Sequence, residues 1–115
     1  MHKQEKLNNL IKRELSQIIL RELDLPSDIV VTVTRVAVAS SGFYAKVFVS
    51  IIPTEKREGV IDALERRIYF LQQQLNKKLK IRPVPKIEFV TEKKTEEAGR
   101  VEELLKKIKD LEKNE

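Results

Sequence analysis

Apolar residues recur at three- and four-residue intervals along the first part of the chain: Leu7, Leu10, Ile11, Leu15, Ile18 and Ile19. Lys6, Lys12, Arg13 and Glu14 lie between them. This spacing lines up one apolar stripe and predicts a helix from Lys3 to about Leu23. Pro26 stops it, and Ser27-Asp28 turn the chain. The period then changes. Ile29 to Ala39 is rich in β-branched residues and reads as a strand, yet its alternation slips once. Val31 and Val33 keep one parity, Val36 and Val38 the other. A bulge near Thr34-Arg35 would return all four to one face, and a strand buried on both faces would tolerate the slip equally well. The pattern leaves both open. Ser40-Ser41-Gly42 makes a turn, after which Phe43 to Ile52 alternates cleanly. Phe43, Ala45, Val47, Val49 and Ile51 face one way; Tyr44, Lys46, Phe48 and Ser50 face the other. So short a connection predicts an antiparallel hairpin.

Pro53-Thr54 ends the second strand. Thr54 can cap the next helix, with Glu55 and Glu58 in its first turn, although Gly59 allows a start a few residues later. Ile61, Leu64, Ile68, Leu71, Leu75 and Leu79 form the stripe of a helix running to about Lys80. Pro83 and Pro85 close it and lead into a short strand, Lys86 to Val90. Strand, long helix and strand imply a crossover, which sets the last strand parallel to the second. Which strand it sits beside is not fixed by the pattern. The order α-β-β-α-β predicts one α+β domain over residues 1–91, a three-stranded mixed sheet with helices on one face. Residues 92–115 are a tail dense in Glu and Lys. There Val101, Leu104, Leu105, Ile108 and Leu111 predict a marginal helix over about 101–112.

Composition narrows the chemistry. The chain has 115 residues, enough for one core, and with 41% hydrophobic and 36% charged residues it is globular. It contains no cysteine, so disulfides and thiolate metal sites are excluded. No secretory-type apolar run follows the polar start Met1-His2-Lys3-Gln4, and no run approaches the roughly 18 residues of a membrane span. The expectation is a cytoplasmic protein with no membrane partner. The single histidine is His2, at a terminus, where a general base is hard to hold in place. Asp62 with Glu65, and Glu22 with Asp24, read as solvated helix charges. The three glycines form no phosphate-cradling loop, and no D-x-D-x-D-G loop exists to hold a metal. No enzyme, no cofactor, no metal site and no small-molecule substrate are expected, and nothing demands more than a monomer.

The net charge is +5, and its distribution is more informative than its size. The tail from Glu92 onward holds seven basic and eight acidic residues, so the excess lies in the body. Lys77, Lys78, Lys80, Arg82 and Lys86 form a stretch with no acid among them, which suits a polyanionic partner. These five are the first candidates for RNA contact; Lys46, Arg66 and Arg67 are a second tier. Five phosphate contacts on single-stranded RNA would give a log–log salt slope of roughly −3.5. Tyr44 and Phe48 could stack bases if their face of the sheet is open, but packing against the protein is the preferred expectation.

In five stretches the sequence resembles the bacterial ribosome-binding factor A family. These are "LNNLIKRELSQIILREL", "VVTVTRVAVASS", "FYAKVFVSI", the L-x-x-x-L-x-I-R-x-x-P-x-I-E-F pattern of Leu75 to Phe89, and Gly99-Arg100-Val101. The resemblance covers roughly Lys3 to Gly99. It implies a type II KH-like fold, binding to the small ribosomal subunit and its rRNA, and support for late maturation and rRNA 5′-end processing without catalysing it. It also implies a link to cold adaptation. KH domains clamp the nucleic-acid backbone with a GxxG loop, and no two glycines here stand three apart. The family has a kinked Ala-x-Gly instead, whose position here is Arg67-Ile68-Tyr69. That departure predicts a straighter, continuous helix from about Arg57 to Lys80. Two rival readings stay in play: a protein-interaction module built on the amphipathic helices and tail, and an RNA-binding domain unconnected with the ribosome.

Overall fold

The computed structural model describes residues 2–92. Helix α1 spans His2–Glu22, strand β1 Val30–Val38 and strand β2 Tyr44–Ile52. A 3₁₀ turn at Thr54–Lys56 leads into α2 (Arg57–Arg66); α3 (Ile68–Lys78) and β3 (Lys86–Thr91) follow. The predicted order therefore holds, with the second helix in two pieces. The tail helix expected over about 101–112 lies outside the described residues.

β2 is the central strand, antiparallel to β1 and parallel to β3. The slip in β1 is a bulge: Val33 pairs with Val49 and Arg35 with Phe48, leaving Thr34 as the extra residue. Val33 and Val36 are consequently both buried, and Val31 and Val38 pack against the same core. One inserted residue resets the alternation, which decides between the two readings of this strand. Ala45, Val47, Val49 and Ile51 of β2 and Ile87 and Phe89 of β3 complete the inner face. Ile11, Leu15, Ile18 and Ile19 of α1, Val60 and Leu64 of α2, and Leu71 and Leu75 of α3 close over it.

The continuous helix expected from Arg57 to Lys80 is not formed. At Arg67 the backbone takes φ −102° and ψ 6°. Its N–H is shared between the carbonyls of Ala63 and Leu64, both at 3.2 Å, while Leu71 still donates to its carbonyl at 2.9 Å. These angles lie in the bridge region, open to any L residue, so the break needs neither alanine nor glycine. It lets α2 lie over β2 and β3 while α3 turns against α1. Thr54 is not a helix cap either. It sits inside the 3₁₀ turn behind Pro53, and no side chain caps that turn or α2. α3 ends at Lys78, before the prolines, where Leu79 becomes extended and buries its side chain.

Candidate nucleic-acid interface

The topology gives the sheet two unlike ends. At one end β1 finishes, β2 and β3 begin, and α1 starts, as shown by Asn8 Oδ1 accepting the Val38 N–H at 2.9 Å. The end of α3, the link after it and the start of β3 also fall at this end, and together they carry Lys77, Lys78, Lys80, Arg82 and Lys86. All five are exposed. Among the described residues, no carboxylate lies within ion-pairing distance of any of them.

Four of the five are lysines with no ion pair to any described residue, whereas Arg82 folds back on its own loop. Its guanidinium donates to the carbonyls of Leu79 at 3.0 Å and Ile81 at 2.6 Å, tying down the link after α3. Its first role is therefore to shape the loop. Of the second tier, Lys46 lies two residues into β2 near the cationic end, exposed on the face away from the helices. Arg66 and Arg67 do not join it. They mark the break between α2 and α3, about 15 Å of helix before Lys77. Arg66 shares a shallow depression with Asp62 and Glu65, and the Arg67 guanidinium lies 4.9 Å from the Phe70 ring centroid.

Position on the outer face separates Tyr44 from Phe48. Tyr44 is 62% exposed, against the expectation that it packs, and among the described residues no helix lies over the outer side of the sheet where β2 begins. Phe48 is partly buried under Arg35, whose guanidinium lies 3.6 Å from its ring centroid. The buried carboxylate of Glu92 fixes that arrangement, accepting from Arg35 Nε at 3.1 Å and Thr34 Oγ1 at 2.8 Å. Glu92 also donates its N–H to the Val49 carbonyl at 2.9 Å.

Gln72 carries no signal in the sequence, yet it holds the backbone on either side of Lys86. Its Nε2 donates to the Pro85 carbonyl at 3.1 Å and to Asn76 Oδ1 at 3.1 Å, and its Oε1 accepts the Ile87 N–H at 2.9 Å. One side-chain amide thus serves both outward-facing backbone groups that flank Lys86, as a neighbouring strand would. No group of three or more His, Cys, Asp or Glu among the described residues is placed to hold a metal ion. No helix among them is long and apolar enough to cross a membrane.

A family model described as ribosome-binding factor A matches residues 3–105. The chain belongs to that family. The ribosome-binding factor A of Halothermothrix orenii is 35% identical over 111 residues, which is 96% of this chain and 91% of the relative. The crystal structure of ribosome-binding factor A from Thermus thermophilus superposes with a TM-score of 0.67 at 27% identity, covering 76% of this chain and 94% of that one. A homology model of the Thermus thermophilus factor, fitted into a cryo-EM map of a complex with the 30S subunit, gives a TM-score of 0.63 at 28% identity. It covers 72% of this chain and 88% of that one. The match to the ribosome-binding factor A family thus takes in all three helices and all three strands of the described body.

Proposed function

We propose that the chain is a non-catalytic assembly factor that binds the small ribosomal subunit and grips rRNA with the cationic end of its sheet. It acts in the cytoplasm as a monomer, during late maturation, and supports processing of the rRNA 5′ end without cutting it. The observation that carries this reading is the group Lys77, Lys78, Lys80 and Lys86, exposed together at one end with no ion pair to a carboxylate among the described residues. The family relative fitted into a 30S complex supports the choice of partner. Absence of cysteine and a lone terminal histidine support a binder over a catalyst.

Co-sedimentation with purified small subunits tests the proposal. The four-lysine-to-alanine variant should stay folded and lose co-migration. On single-stranded RNA these four lysines should contribute roughly −2.8 to the log–log salt slope, with Arg82 committed to its own loop. Retention of binding by the variant would overturn the assignment. A protein partner is the second reading, favoured by an apolar groove of about 470 Å³ between the end of α1 and the start of β1. Leu20 stands beside it, 85% exposed. Binding that ignores the four lysines but fails on removal of residues 100–115 would favour that reading.

A further inference from the structure

The helices cover one face of the sheet, and among the described residues no element covers the other face at its cationic end. Tyr44 opens β2 there with 62% of its surface exposed. Lys86, which opens β3, is its partner across the parallel pair. Adjacent strands lie about 4.8 Å apart, so the two side chains rise next to each other. Lys46, two residues along β2, stands on the same face by strand alternation. Glu88, the partner of Lys46, is the acid nearest to them on this face, while Glu92 farther along is taken up by Arg35, and no ion pair joins Glu88 to either lysine among the described residues. Phe48 offers no second ring, since Arg35 covers it and Glu92 holds Arg35 there. Phe43 is 57% exposed but has the parity of the core residues, so it belongs to the other side of the sheet.

A bare aromatic ring flanked by two lysines matches the repeat of single-stranded nucleic acid, in which a flat base alternates with an anionic phosphate. Charge complementarity selects this occupant over an apolar protein surface: Lys77, Lys78 and Lys80 continue the positive field around the same end of the sheet. We propose that Tyr44 is the stacking platform for one base of single-stranded RNA, with Lys86 and Lys46 holding the phosphates on either side of it. This inference rests on the RNA-binding reading above and adds to it a base-contacting subsite. The strand would pass from the end of α3 around the edge of the sheet and onto its open face.

The sequence supplies its own probe, because the chain has two tyrosines and no tryptophan. In a Tyr69→Phe background Tyr44 is the sole tyrosine, and its emission reports stacking. A short fluorescently labelled single-stranded RNA is titrated with the full chain, reading label anisotropy for binding and tyrosine emission for stacking. The emission should be quenched in step with the anisotropy. Tyr44→Ala should weaken binding roughly fivefold to a hundredfold with the salt slope unchanged. Tyr44→Phe, which keeps the ring, should bind nearly as the wild type does. Far-UV circular dichroism of each variant checks that it remains folded. Binding by anisotropy with unquenched emission, or unchanged affinity in Tyr44→Ala, overturns the platform and leaves charge-driven RNA binding standing. No binding of the RNA by the wild type overturns the platform and the RNA-binding reading together.

Discussion

Gln72 does for β3 what Asn8 and Gln4 do for β1. Each puts a side-chain amide against the free backbone of an edge strand near the cationic end. An unpaired backbone group that is partly buried is unfavourable, and an edge left open can pair with another chain. Gln72→Ala should therefore lower stability by roughly 1–3 kcal/mol in urea denaturation. Gln72→Glu should fall between, since a carboxylate still accepts from the Ile87 N–H but meets the Pro85 carbonyl with no donor. The residues of the stripe, such as Leu71 and Leu75, were legible because helical spacing is a geometric property of the sequence. Gln72 was not, because it stands among three consecutive glutamines and only the return of β3 selects one of them. Arg35 and Glu92 meet across 57 positions of sequence, and no local pattern encodes that encounter. Arg82 belongs to the cationic stretch by sequence alone, but its hydrogen bonds to Leu79 and Ile81 depend on the path of the loop.

The strands were legible element by element, but the bulge only as one of two readings. A slip of parity fits either an inserted residue or burial on both faces, and the pairing of β1 with β2 decides it. This gives a test. Deleting Thr34 removes the inserted residue and leaves Val31, Val33, Val36 and Val38 on one face of a regular ladder. The deletion variant should fold cooperatively, with a loss of roughly 1–2 kcal/mol from its hydrogen bonds to Glu92 and the Phe48 carbonyl. Deleting Phe48 from unbulged β2 should abolish cooperative unfolding, since half of that strand would then turn its apolar residues outward. Urea titration followed by circular dichroism separates the two. The break in the second helix was illegible for a related reason. Leu64 and Leu71 are seven residues apart, close to two turns, so the stripe reads the same with or without a bend between them. The bend answers a tertiary demand, the divergence of α2 toward the sheet and α3 toward α1, that no stripe records.

Over the whole molecule, the two ends of the sheet differ in kind. One end carries the lysines, the hairpin turn and Tyr44; the other carries the apolar groove where α1 gives way to β1. The charge run was legible in the sequence, but its opposition to an apolar end follows from the strand directions, which bring residues 77–86 and 38–46 together. Charge gathered at one end has an effect before any contact forms. In the field of a polyanion it exerts a torque on the approaching protein, turning the lysine end forward during diffusion. Encounters are then pre-oriented, and fewer collisions are wasted on the groove or the helix layer. Stopped-flow association with small subunits should show an on-rate that falls steeply with added salt, while dissociation changes much less. Moving the same four positive charges to the groove end should slow association at low salt while net charge stays the same.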